Sequence, residues 1–164
     1  MDPFIKEIQH INNVEDAINK LKTQTEISPK LYEIINFIIE AHEGQYRKSG
    51  EPYCVHPILV ASITAHFSKD EAVIATALLH DVVEDTEYPL DYIAEKWGTD
   101  IAHMVDGLTK IVEIRETEFV TADGASDSKI MSSALTFRKM LIASIDDARV
   151  LIVKLCDRLH NMLT

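Results

Sequence analysis

The stretch Ala77–Thr86, ALLHDVVEDT, decides the fold and raises its main problem. It begins as an apolar helix and then places His80, Asp81, Glu84 and Asp85 within six positions. Ionisable groups on or beside a core helix are costly to bury unless solvent, an ion-pair network or a metal ion neutralises them. On a continuous helix His80 shares a face with Glu84, and Asp81 with Asp85, because residues four apart stack. Adjacent His80 and Asp81 can still converge beside the axis, where a divalent ion accepts one imidazole nitrogen and one carboxylate oxygen. Glu84 and Asp85, a turn further on, are then free to handle water without ligating the ion. The bland alternative is a helix-end His–Asp pair followed by two solvated acids.

The flanking sequence is helical as well. SKDEAVIATALLHDVVED opens with a capping-box pattern, Ser68 with Glu71 three residues on. In PKLYEIINFIIEAHEGQ, Ser28 is the candidate N-cap and Pro29 the first helical residue. Leu31, Ile34, Ile35, Ile38 and Ile39 recur at helical spacing before Gly44. PLDYIAEKWG starts at proline and stops at glycine, TDIAHMVDGL is a short helix, and ARVLIVKLCDRLHNML is a long terminal one. Alternating strand patterns are nearly absent, so the expected class is all-α: a helical bundle with a metal site between helices. Residues 1–28, with Phe4, Ile5, Ile8, Ile11, Val14, Ile18 and Leu21 near helical spacing, read as one or two helices packing on a core domain of residues 29–164. Two stretches break the pattern. Gln45–Pro57 is a basic, turn-rich loop, and Val112–Ser128 reads as an acidic connection of weak periodicity, disordered or lid-like.

A metal needs more ligands than His80 and Asp81. His56, before a proline at the end of the basic loop, is one candidate. Asp157 is another, because it interrupts the apolar stripe Val150, Leu151, Val153, Leu155 and Leu159. A mixed His-His-Asp-Asp set with open positions suits manganese, iron or magnesium better than a closed structural zinc site. Asn161, four residues after Asp157, faces the same side. His160 is balanced between site wall and helix surface, Lys154 and Arg158 read as solvent-facing, and His42 reads as structural.

Bulk properties narrow the class. The chain has 164 residues and a formal net charge of −11, which argues against a general nucleic-acid binder but not against a small anion held by a few local cations. No apolar run approaches the roughly 20 residues of a membrane span. The N-terminus lacks a signal-peptide core, and two cysteines make no disulfide framework, so a reducing cytoplasm is the default. Cys156 reads as a buried small apolar residue.

Three blocks taken together, AHEGQYRKSGEPYCVHP, HDVVED and KLCDRLHNM, resemble the hydrolase domain of the RelA/SpoT homologues, bacterial proteins within the HD-domain metal-dependent phosphohydrolases. The resemblance runs from about Lys30 to Thr164. It implies manganese bound by His56, His80, Asp81 and Asp157, and a catalytic acidic pair at Glu84 and Asp85. It also implies nucleotide contacts at Arg47, Lys48, Ser49, Asn161 and Thr164. The implied reaction is hydrolysis of the alarmone (p)ppGpp to GDP or GTP plus pyrophosphate, with metal-bound hydroxide attacking the 3′-diphosphate and the stringent response ended. Long relatives continue into a synthetase and regulatory domains. The last helix here has no C-cap signal, so the expectation is a C-terminally truncated domain whose uncovered apolar faces favour self-association. The competing readings are a phosphohydrolase of another nucleotide and a silent nucleotide-binding domain that regulates a synthetase.

Overall fold

In a computed structural model the backbone is described for residues 2–121 and 147–164, and side chains for residues 2–110 and 147–164. Nine helices occur among these residues: α1 (Pro3–Ile8), α2 (Val14–Gln24), α3 (Pro29–Ala41), α4 (Val55–Phe67), α5 (Glu71–Leu79), α6 (Val82–Asp85), α7 (Leu90–Trp97), α8 (Thr99–Thr121) and α9 (Ala148–Leu163). The class is all-α, as the periodicity predicts; one isolated bridge, Tyr46 to Pro52, closes the basic loop.

Local signals set most helix starts. Ser28 caps α3 by accepting a hydrogen bond from the Leu31 amide at 3.2 Å, with Pro29 in the first turn. Asp147 does the same for α9 through the Arg149 amide at 3.0 Å. Gly98 separates α7 from α8 at φ 105°, a left-handed turn that a residue with a Cβ resists. The start of α5 departs from expectation. Asp70, not Ser68, is its N-cap, with Oδ1 accepting from the Ala72 amide at 2.9 Å. A carboxylate is the better acceptor at the positive end of a helix, and Ser68 is left to accept from the Asp70 amide at 3.4 Å.

The core forms where α4 and α5 pack together and are enclosed by α2, α3, α8 and α9. α4 is buried along almost its whole length, from Val55 to Ala65, and α5 from Val73 to Leu79. Neither is amphipathic, because both are covered on every side. Phe4 and Ile8 of α1 with Ala17 and Leu21 of α2 belong to the same apolar cluster. Burying a large aliphatic side chain here contributes about 1.5–3 kcal/mol. α9 reaches α8 closely at Gly107: a Cβ there would meet Val150 Cγ2 at 3.3 Å.

Two expectations change. α8 does not end after Leu108 but runs to Thr121, so Val112–Thr121 is helical rather than a loose connection. Glu113, Arg115, Glu116 and Glu118 in that stretch are good helix formers even without strong periodicity. Residues 122–128 of that expected connection lie outside the described residues. On α9, Val150 and Val153 are buried but Leu155 is 56% exposed, so the apolar stripe is narrower than its sequence suggests. No helix among the described residues is long and apolar enough to cross a membrane.

Candidate metal centre

The helix carrying His80 does not run through. α5 ends at Leu79, His80 and Asp81 form a turn, and α6 begins at Val82. The His80 Nδ1–H donates to the Ala77 carbonyl at 2.6 Å, the acceptor that an uninterrupted helix would offer to the Asp81 amide. The chain relaxes to φ −100° and ψ −4° at Asp81. One consequence is functional: with Nδ1 used by the backbone, the His80 Nε2 faces inward, buried and with no hydrogen-bond partner among the described residues.

Around that atom the acidic and histidine groups converge. Asp81 Oδ2 lies 3.0 Å from His80 Nε2, and Asp157 Oδ1 lies 3.3 Å from it. His56, on the first turn of α4, brings Nε2 to 2.8 Å from Asp157 Oδ1 and 3.6 Å from Asp81 Oδ2. Ligand atoms of His56, His80 and Asp157 all lie within 4.8 Å of one another. Three separate segments therefore bring two ring nitrogens and the Asp157 oxygen together, with Asp81 Oδ2 beside both rings. The orphaned Nε2 and the hard, mixed donor set fit a divalent cation with oxygen and nitrogen preference.

The electrostatics agree with a site built to hold positive charge. Burial opposes a charged His80, but Asp81 and Asp157 outweigh it and hold the imidazole well above its usual range. Burial would raise Asp81, yet His80 and His56 bring it down to about 2. Asp157 is pushed far below the carboxylate range by its hydrogen bond with His56 and by the nearby His80, against its burial. Burial lowers His56 despite its bond to Asp157.

Glu84 and Asp85 sit on α6 at the mouth of this centre, open to solvent at their tips. Partial burial and the negative charges of Asp81 and Asp85 raise Glu84 to about 7. Asp85 is raised too, by burial and then by Asp81. A carboxyl poised near neutrality beside a candidate metal site is equipped to take and return protons.

The basic loop folds over the same mouth. Its backbone closes through Tyr53 N–H to Gln45 O at 2.9 Å and Arg47 N–H to Glu51 O at 3.0 Å. Gln45 ties it to α6 by donating to the Asp85 carbonyl at 2.6 Å. His42, buried, holds Gln45 through an Nδ1 contact of 2.9 Å, which makes it a support for the loop. Arg47 reaches across to α9 and donates through Nη2 to Asn161 Oδ1 at 3.1 Å and Thr164 Oγ1 at 3.0 Å. Three of the five expected nucleotide positions thus meet. Lys48 and Ser49 instead lie at the exposed loop tip, where Ser49 donates to Glu51 at 2.8 Å.

Three residues carry more than their sequence context suggests. The Tyr53 hydroxyl donates to Asp81 Oδ2 at 2.8 Å, and burial with the neighbouring carboxylates keeps it protonated. Its position three residues before His56 is the only signal in the sequence. Lys154, expected in solvent, turns inward, its Nζ 3.2 Å from Asp157 Oδ2, because Asp157 one turn on gives the ammonium a carboxylate to neutralise. His160 is buried against His56 rather than on the surface.

Comparison with known proteins points the same way. A family profile described as HD domain matches residues 35–164. The chain is 47% identical over 125 residues to a GTP pyrophosphokinase of Myxococcus xanthus, covering 76% of this chain and 16% of that one. It is 44% identical over 125 residues to a guanosine-3′,5′-bis(diphosphate) 3′-pyrophosphohydrolase of Haemophilus influenzae, covering 76% and 17%. To the bifunctional (p)ppGpp synthase/hydrolase SpoT of Escherichia coli it is 40% identical over 125 residues, covering 76% and 16%. The chain spans about a sixth of the length of these curated relatives. Among solved structures, a metazoan orthologue of SpoT superposes with a TM-score of 0.50 at 20% identity, over 82% of this chain and 97% of that one, a likeness of fold.

Proposed function

We propose that this chain, which belongs to the HD-domain family, hydrolyses (p)ppGpp to GDP or GTP and pyrophosphate with manganese as cofactor. The observation that carries the reading is the convergence of His56 Nε2, His80 Nε2, Asp81 Oδ2 and Asp157 Oδ1 below two unligated carboxyls. The names of the Haemophilus and Escherichia relatives supply the substrate.

His56, His80, Asp81 and Asp157 hold the cation, and a divalent ion so bound supplies acidified water at neutral pH. Every other task falls to the chain's own groups. Tyr53 orients the Asp81 carboxylate by donating to the same Oδ2 that faces His80, and Lys154 occupies the outer Oδ2 of Asp157, which leaves its Oδ1 inward. Glu84 and Asp85 take a proton from the attacking water. The new bond forms at the phosphorus attached to the ribose 3′ oxygen. The bond to that oxygen breaks, and the acidic pair returns a proton to it. Arg47 presents a planar guanidinium to the phosphates, with Asn161 and Thr164 beside it. An acidic protein thereby accepts a polyanion, because the attraction is local. In a longer chain the natural companion of this domain is a synthetase, as the name of the Escherichia relative indicates.

The test is pyrophosphate release from ppGpp and from ordinary dNTPs, each with manganese, magnesium or a chelator. Release from ppGpp alone, dependent on manganese, is the expected result. Equal hydrolysis of dGTP, or activity that survives chelation, overturns the reading.

A further inference from the structure

The two proposed histidine ligands expose Nε2 by different means. His80 has its Nδ1 proton taken by a backbone carbonyl, which can only accept. Among the described residues no carbonyl takes that part for His56. Its Nδ1 lies 2.6 Å from the Nδ1 of His160, and the two rings stack at 4.9 Å with an interplanar angle of 28°. Both side chains are almost fully buried, at 2% and 1% exposure.

Two ring nitrogens at that distance share one proton: two bare lone pairs repel, and two N–H groups collide. A neutral imidazole carries a single proton. With that proton on Nε2, His56 points an N–H at Asp157 and has no lone pair for a cation. With it on Nδ1, Nε2 is bare, but a buried N–H then needs an acceptor, and leaving one unmet costs about 1–3 kcal/mol. His160 Nδ1 is the acceptor at that place. Its own proton then sits on Nε2, a buried atom with no hydrogen-bond partner among the described residues. That orphaned atom is explained if the ring is oriented for His56 rather than for its own satisfaction.

We propose that His160 is a positioning residue for the cation: its Nδ1 accepts the His56 Nδ1 proton and turns the His56 Nε2 lone pair toward the metal. The inference rests on the metal-site reading above. It assigns a task to an α9 residue that neither ligates the cation nor touches substrate.

Manganese binding by calorimetry, on the full 164-residue chain, separates the two ideas. An asparagine side chain places its amide oxygen near the position of a histidine Nδ1, so His160→Asn retains an acceptor and His160→Leu removes it. Manganese affinity is expected to fall about 10- to 100-fold in His160→Leu, the range typical of partners behind a ligand, and to recover most of that in His160→Asn. No manganese binding by the wild-type chain overturns the metal site itself. Wild-type binding with equal affinity in His160→Leu, or His160→Asn as weak as His160→Leu while both remain folded, overturns only the role of His160. A second measurement needs no variant. In the zinc-loaded, ¹⁵N-histidine-labelled chain, the His56 proton is expected on Nδ1, with ¹⁵N–¹⁵N coupling to His160 across the hydrogen bond. A proton on His56 Nε2, or no such coupling, sinks the proposal even where the variants fail to fold.

Discussion

Two charged clusters tether the last helix, and they differ in almost every physical respect. The outer one sits at the first turn of α9. Arg149 donates to Asp147 Oδ2 at 2.8 Å and to both oxygens of Asp100, at 2.7 and 3.0 Å. The Asp100 side chain is 60% exposed. The inner one, two to three turns on, joins Asp157 and His160 to His56 on α4 and to the His80–Asp81 turn. The outer cluster sets one guanidinium between two carboxylates, with good bidentate geometry and its Asp100 side open to solvent. The inner cluster is mostly buried and holds two carboxylates, three imidazoles and two unpartnered ring nitrogens, those of His80 and His160. Opposite charges that satisfy one another fasten a helix; groups that converge without satisfying one another make a place for something else.

If that contrast is right, substitutions in the inner cluster abolish function and those in the outer one adjust stability alone. The largest effect is expected from Asp157→Ala, which removes the atom shared by both histidines. Manganese binding and pyrophosphate release should both disappear, and adding a chelator to the wild-type chain should reproduce the loss of turnover. Retained manganese affinity in this variant would break the comparison outright. Next comes the double change Glu84→Gln, Asp85→Asn. General acid–base groups contribute about 10²- to 10⁴-fold, so turnover should fall by that range while manganese affinity stays near wild type. A matching fall in metal affinity would make the acidic pair ligands rather than proton carriers.

How much of this was readable beforehand follows from what kind of signal each residue leaves. Caps and breakers act over three or four residues, so Ser28, Pro29 and Gly98 announced α3 and the α7–α8 junction. Isolated polar residues in apolar helices also leave a mark: His56 in α4 and Asp157 in α9 stood out because burial demands a partner, and the fold brings their side chains together. The break at His80 left none, since it depends on a ring taking the Ala77 carbonyl, a choice of rotamer that periodicity does not encode. Lys154 was misplaced for a related reason. A lysine is ordinarily solvated, but Lys154 stands three residues before Asp157 on the same face of α9, and its ammonium meets that carboxylate. Tyr53 and His160 matter through atoms that touch other site residues and not through any pattern of their own. The choice of Asp70 over Ser68 was a contest between two good caps two residues apart.

Arg47 lies between the two regimes, partly exposed yet linking the basic loop to Asn161 and Thr164. Hydrogen bonds to charged groups contribute about 1.5–3 kcal/mol, so Arg47→Ala should raise the KM for ppGpp roughly 10- to 100-fold with a smaller change in kcat. Rising salt should raise the wild-type KM and narrow the gap to the variant, because an attraction at the rim is screened. A variant that lost kcat instead would move Arg47 from binding into the chemistry.

The smallest effect is expected from Arg149→Ala, and its pH dependence makes it informative. Arg149 holds the carboxyls of Asp100 and Asp147 below their usual range through direct hydrogen bonds. A carboxyl whose pKa is depressed by folding stabilises the fold at every pH above its unfolded value, about 4. That stabilisation disappears as pH falls through the depressed folded value. For an exposed network it amounts to at most about 1 kcal/mol, or about 2–4 °C in Tm for a chain of this size. The wild-type chain should therefore melt slightly above Arg149→Ala at pH 7, and the two should converge as pH falls below 4, with pyrophosphate release at pH 7 unchanged. Thermal melts across that range test it. A gap that persists at low pH would mean that Arg149 acts through the packing of its stem, and a loss of turnover would mean that the outer tether also sets the position of Asp157.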